Sequence, residues 1–405
     1  MTPDLGAPDR HALLAVAVTF GINGAVLSSL LPRFPQIVAN TGATEATFGA
    51  ALAAIGVGGF VGSAIMPALA ARLGLVRVVV GAGVLLALAS VAIASAPSVA
   101  LLAAAFALGG AADGTHDVSM NEIGLGEQSR RTGSVMGRLH GTWSLGATAG
   151  AALGALMAGL QVPVPVHIGV VAALAVITQL GVARWLRARP VTGVASAGET
   201  AAGPVAAAGE IVSDLPRRWP VLLLLAIVTL AAMAAEGVPL DWSALTLRLA
   251  LDASPGVAGL GPVVFSAGVL LGRLGTDPAV DRYGAAGVVR GSCLLAATSM
   301  AVGLSTAAAT DSPWPLLIAL AVAGIGAAST FPLLFGAGDL VARRLRLPAG
   351  SGASIVGTLP RLGGLVLPIT VGLLASALGL IAALGIMVVG ALAVAALLPR
   401  LLRPI

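Results

Sequence analysis

The chain has 405 residues, of which 58% are hydrophobic and a further 54 are glycine, while only 10% are charged, against about 25% in an ordinary soluble domain. A composition this apolar excludes a soluble enzyme. The net charge of +5 comes from 22 basic residues, all arginine, against 17 acidic ones; the arginines lie in short polar breaks between apolar runs, not clustered on a solvated face, and this excludes nucleic-acid binding.

Taken in chain order, apolar runs bounded by Arg, Asp, Pro or polar clusters predict membrane-crossing helices at about 11–32, 44–70, 76–95, 99–126, 133–160 and 163–186. A second set follows at about 218–237, 256–275, 285–306, 313–337, 350–376 and 378–399. The first run has no short apolar core followed by a cleavage site, so no removable signal peptide is expected. Between the two sets, 188–216 is rich in Ala, Gly and Pro and lacks apolar periodicity, which reads as a flexible linker. The expected fold is an all-α integral membrane protein of twelve transmembrane helices in two pseudo-symmetric halves, 1–187 and 217–405, joined by a cytoplasmic linker at 188–216.

Nearly all the arginines, Arg273 among them, fall in breaks on one side of this arrangement. Arg33 and Arg248 fall on the other side, and Arg361 within a span. Positive charge accumulates on the cytoplasmic side, so both termini are expected there, in a bacterial cytoplasmic membrane. The halves also echo each other: Gly62, Arg72 and Gly74 recur as Gly272, Arg282 and Gly284, and Gly146 and Gly154 as Gly364 and Gly372, as in transporters built from repeated six-helix units.

With these features the chain resembles the major facilitator superfamily over nearly all its length. The superfamily's loop motif after the second span, Gly-x-x-x-Asp-Arg-x-Gly-Arg/Lys, is similar to 277–284, where Asp281, Arg282 and Gly284 match and Asp277 stands at the leading glycine. Arg72 and Gly74 match in the first half, with Pro67 and Ala71 at the other motif positions. The resemblance implies a cytoplasmic gate formed by Arg72, Asp277, Asp281 and Arg282. Within the superfamily the runs DGTHDVSMNE (113–122), LHGTWSLGATAGAALGA (139–155) and EGVPLDWSALTLR (236–248) look like a bacterial subgroup related to the fucose/proton symporters. The fifth span is also similar to the superfamily's antiporter motif through Gly137, Gly146, Gly150 and Gly154, with Ala151 and Ala155 as departures.

An ionisable residue inside a span is costly, and so is a candidate for function. Asp113, His116, Asp117 and Asn121 recur at three- and four-residue spacing on one face of the fourth span, with Asp113 about 22 Å from the helix start. Asp113, His116, Asp117 and Glu236 are the expected proton-coupling groups. Asn121, His140, Trp143, Ser144 and Arg361 are the expected substrate-cavity residues; Arg361 aligns with Trp143 in the repeat, and Asp113 is its first candidate partner. Gly146, Gly150 and Gly154 are expected to let helices approach closely. Asp241 and Trp242 read as an outer anchor, with Asp241 pairing with Arg248.

The expected function is a secondary active transporter that moves a small organic solute by alternating access, without cofactor or metal. No phosphate-binding loop of the GxxxxGK[ST] form is possible without lysine, so the energy is expected to come from a gradient, with protons the coupling ion. The glycine row, the scarcity of polar groups in the cavity-facing spans and Trp143 lean toward efflux of an amphipathic compound by proton antiport; the symporter resemblance, Gln179, Asn121 and Arg361 point to uptake of a sugar-like polar solute. A membrane-embedded enzyme or a non-transporting sensor is the reading of another class. The expected partners are the solute, protons and the lipid bilayer, and the expected state is a monomer.

Overall fold

A computed structural model describes residues 10–131, 135–187, 215–345, 347 and 351–402, and every regular element among them is helical. The helices of the first half are α1 (Arg10–Ser28), α2 (Phe34–Thr41), α3 (Glu45–Leu73), α4 (Leu75–Ala94), α5 (Val99–Ser129), α6 (Met136–Gly159) and α7 (Val164–Arg187). Those of the second are α8 (Leu215–Leu245), α9 (Pro255–Tyr283), α10 (Ala285–Thr310), α11 (Pro313–Ala327), α12 (Thr330–Arg344), α13 (Ser351–Leu378), α14 (Leu380–Leu384) and α15 (Ile386–Leu401). The first, tenth and twelfth crossings are each broken helices: α1 with α2, α11 with α12 and α14 with α15. Residues 188–214 of the expected linker lie outside the described residues, and α8 starts at Leu215.

Among the described residues, ten stretches are long and apolar enough to cross a membrane. The other two crossings are α6, whose first turns carry His140, Thr142, Trp143 and Ser144, and α13, whose described apolar part is Leu362–Leu378. Several helices overrun the hydrocarbon: at 29 residues, α9 is about 43 Å long, against a core of about 30 Å. Asp277, Pro278, Asp281 and Arg282 therefore continue the helix past the apolar layer instead of ending it. The sequence reading stopped this span near 275 for that reason, and counted Arg273, which lies within it, among the cytoplasmic-side charges.

Local signals set the helix ends. The Thr44 and Thr47 side chains form a reciprocal capping box at the start of α3, Ser98 caps α5, and Gln128 Oε1 accepts the Val135 and Met136 N–H groups at 3.1 and 3.3 Å just before and at the start of α6. The repeated loop glycines have a backbone reason: Gly74 and Gly284 close α3 and α9 at φ 84° and 73°, a region that side chains with a Cβ rarely adopt.

Packing depends on bare backbone. A Cβ on Gly146 or Gly150 would overlap the Gly21 or Ala25 carbonyl of α1, and one on Gly154 would lie 2.6 Å from Ser29 O; α6 is thus seated directly on α1. Gly58, Gly62, Gly110 and Gly114 join α3 to α5 in the same way. Between the halves, α3 meets α13 at Gly49 and Gly56, where a Cβ on Gly56 would come within 2.7 Å of Gly364, and α6 meets α9 where a Cβ on Gly259 would lie 2.9 Å from Ala155. These inter-half approaches sit at the end where α3 and α9 begin. Farther along, Gly58 and Gly62 of α3 face α5, while Gly268 and Gly272 of α9 face α11 and the α11–α12 break, so these glycines pack each helix against its own half.

Gly49→Leu cannot be housed with the halves sealed at this end, because a Cβ alone already overlaps the Pro368 carbonyl. With the buried Cys293 replaced by serine and a reporter cysteine at Ser376, whose hydroxyl receives the Ala46 N–H, Gly49→Leu is expected to raise thiol-labelling of the reporter severalfold. An unchanged rate contradicts the packing.

Candidate functional site

The fourth crossing supplies the densest polar cluster. His116 on α5 is wholly buried. Its Nδ1 lies 3.1 Å from Asn23 Nδ2 of α1, and its Nε2 lies 2.8 Å from Gln179 Nε2 of α7. The same Asn23 amide nitrogen donates to Asp113 Oδ1 at 2.8 Å, and Asn23 Oδ1 accepts the Trp143 indole N–H of α6 at 2.8 Å. Four crossings of the first half are thus joined by one hydrogen-bonded network around His116. Gly83 of α4 makes the room, since a Cβ there would lie 2.9 Å from His116 Nε2 and closer still to the Gln179 amide.

Next to this network, Asp113 and Asp117 line a cavity of about 270 Å³ closed by Ile55, Gly56 and Gly59 of α3 and by Pro360 and Gly364 of α13. The two carboxylates therefore face the seam between the halves. Asn121 donates to the Asp117 carbonyl and carboxylate at 2.9 and 3.1 Å, which turns its amide nitrogen back along its own helix. The backbone of Arg361 belongs to α13, on the helix that completes the cavity; its side chain, and with it the expected pairing with Asp113, lies outside the described residues.

A second polar group bridges the halves. Arg273 of α9 donates to Glu236 Oε1 of α8 at 3.1 Å and to Ser144 Oγ of α6 at 3.1 Å. Sequence reasoning placed Arg273 in a cytoplasmic-side break; it sits about 15 Å from the end of α9, within a helix long and apolar enough to cross a membrane, where a guanidinium needs a partner. Glu236 Oε2 and Arg273 Nε are buried without partners, so the pair keeps unused hydrogen-bonding capacity. His140 is exposed, stacks edge-on against Phe20 at 5.4 Å and lies within electrostatic reach of both Asp117 and Arg273.

The remaining expected residues divide. Gly146, Gly150 and Gly154 pack on α1 as described. Arg72, Asp277, Asp281 and Arg282 are all exposed, and among the described residues none of the four makes an ion pair; Arg282 lies over the Tyr283 ring. Arg248 pairs with Asp252 at 3.0 Å, not with Asp241, because the π-helical turn Thr246–Ala250 carries it past the end of α8. Trp242 is buried against Phe48. Among the described residues no cluster of His, Cys, Asp or Glu is placed to hold a metal.

Two residues that organise the site escaped the sequence reading. Asn23 is a lone amide amid the apolar first span, a signal present in the sequence but masked by the denser run at 113–122. Gly83 has no sequence signal in a chain so rich in glycine. Gly83→Ala is expected to lower stability by about 1–3 kcal/mol, the usual cost of overpacking a filled interior, while Gly81→Ala, with nothing within 4 Å of its added Cβ, melts close to the wild type. Equal melting of the two variants contradicts this packing.

Comparison with known proteins agrees with this architecture. The sequence pattern of the Major Facilitator Superfamily matches residues 16–344. The chain is 31% identical to the uncharacterized transporter y4wD of Sinorhizobium fredii, over 89% of this chain and 90% of that one. It is 28% identical to an uncharacterized MFS-type transporter of Yersinia pestis, over 96% and 95%. A crystal structure of the nucleoside transporter NupG superposes with a TM-score of 0.73 at 13% identity, covering 97% of this chain and all of that one. Twelve helical crossings in two six-helix halves, a seam of close glycine contacts and these matches lead to one assignment: the chain belongs to the Major Facilitator Superfamily of secondary transporters.

Proposed function

We propose that this protein moves a small polar organic solute across a bacterial cytoplasmic membrane by alternating access, driven by protons, with export by proton antiport as the direction. The observation that carries the reading is the placement of Asp113 and Asp117 on the cavity between the halves; the Glu236–Arg273–Ser144 bridge is a second polar link between them. Carboxylates at a midplane seam can exchange protons as the seam opens to one side and then the other. With both termini cytoplasmic, the glycine-sealed end is the outer one and the cavity belongs to an inward-facing state. The exposed charges at Arg72, Asp277, Asp281 and Arg282 then belong to the cytoplasmic gate, parted in this state and drawn together in the other.

The charged lining argues for a polar solute over an apolar one. Export is supported by the glycine row of α6, which resembles the superfamily's antiporter motif. Proton-coupled uptake is the second reading, favoured by that polar lining and by the resemblance to fucose/proton symporters. The protein acts as a monomer with the segment between its halves in the cytoplasm.

The test compares small molecules inside and outside cells that express the wild type or Asp113→Asn, with and without a proton uncoupler. Export predicts a solute depleted inside and enriched outside with the wild type, lost on uncoupling and lost in Asp113→Asn. Uncoupler-sensitive accumulation inside overturns the direction. A gradient that persists unchanged in Asp113→Asn removes this carboxylate from coupling.

A further inference from the structure

Donor and acceptor counting fixes the hydrogen positions in the His116 network. An indole nitrogen can only donate, so the Asn23 atom facing Trp143 is its oxygen, and its Nδ2, with two hydrogens, faces Asp113 and His116. His116 Nδ1 must then accept, which leaves the ring hydrogen on Nε2. Two donors cannot face each other, and Gln179 Oε1 is buried without a partner while Gln179 Nε2 stands 2.8 Å from His116 Nε2. Exchanging the two ends of that amide pairs the ring correctly: His116 Nε2–H donates to Gln179 Oε1, and the amide nitrogen takes the place the oxygen held. Every polar atom of the imidazole is used, and only in the neutral form.

A second ring proton would set His116 N–H against Asn23 N–H. Rotating the Asn23 amide does not relieve this, because it sets the Asn23 NH2 against the Trp143 N–H and withdraws the donor from Asp113. The residues that meet His116 from α1, α4 and α7 are Asn23, Gly83 and Gln179, none of them titratable. Trp143 of α6 acts through Asn23, and the charged member of the network is Asp113, one turn away on the same helix.

We propose that Asn23 is the positioning residue of this carboxylate site: held in one amide orientation by Trp143, it ties Asp113 to α1 and keeps His116 a neutral hydrogen-bonding spacer, so that Asp113 and not His116 carries the proton. A hydrogen bond to a carboxylate is roughly twice as strong as one between neutral groups. Protonating Asp113 therefore weakens the tie between α5 and α1, and α6, seated on α1 through its glycine row, is released with it. The role assigned to Asn23 rests on the proton-coupled reading above, but its test does not.

The experiment is 15N spectroscopy of histidine-labelled full-length protein in lipid nanodiscs across about pH 5 to 8, with His116 assigned by its loss in His116→Gln. The wild type is expected to show one pyrrole-like and one pyridine-like nitrogen, unchanged over the range. Trp143→Phe, which keeps a ring but removes the N–H, is expected to lose that single form, as is Asn23→Ala. An imidazolium signal appearing in the wild type within the range, or a Trp143→Phe spectrum identical to it, overturns the proposal. An unaltered gradient in Asp113→Asn together with the expected spectra overturns the coupling reading and, with it, the assignment of the proton to Asp113, but leaves the Asn23 orientation standing.

Discussion

A polar side chain in hydrocarbon needs a partner, and in this protein the partners stand on other helices. Asn23 on the first crossing answers Asp113 and His116 on the fourth and Trp143 on the fifth, and Gln179 on the sixth answers His116. Arg273 on the eighth answers Glu236 on the seventh and Ser144 on the fifth. Each pairing requires helix axes near enough for short side chains to meet. That requirement explains why glycine, not a larger apolar residue, occupies so many facing positions.

The two kinds of contact divide the work of a moving protein. Glycine-to-backbone packing joins α1 to α6 and α3 to α5 within the first half, where the helices must travel together. At the seam, glycine contacts seal one end, while farther along lie the Arg273–Ser144 hydrogen bond and the cavity lined by Asp113 and Asp117. Backbone contacts without directional bonds can part and re-form at small cost. On the proton-coupled reading proposed above, the carboxylates at the seam are where proton binding would bias the balance between the two states.

Most of the fold was legible in the sequence because a bilayer leaves a chain few options. Twelve apolar runs, arginine on one side and repeated loop glycines led to the all-α two-half architecture. Hydropathy reports where the apolar layer ends, not where the helix ends: α9 continues through Asp277 and Pro278 to Tyr283, and α8 continues through Pro239 to Leu245, so Asp241 was read as a residue past its span and paired with the wrong arginine. Arg273 was counted with the loop charges although it fell inside the expected span. Of the site, Asp113, Asp117, Glu236 and Ser144 stood out as polar residues in apolar runs. Asn23 and Gly83 did not, because their importance comes from what other helices bring to them.

The account's central claim is that proton occupancy of Asp113 biases the two halves between their arrangements. Spin labels at Leu73 and Tyr283, exposed residues at the far ends of α3 and α9 in opposite halves, allow this to be measured without knowing the solute. The measurement is the distance distribution between them by double electron–electron resonance in nanodiscs, in a Cys293→Ser background, at acid and neutral pH. The account predicts two populations whose ratio changes with pH in the wild type and is frozen in Asp113→Asn. A single distribution insensitive to pH in both proteins, or an equal pH response in Asp113→Asn, would contradict it.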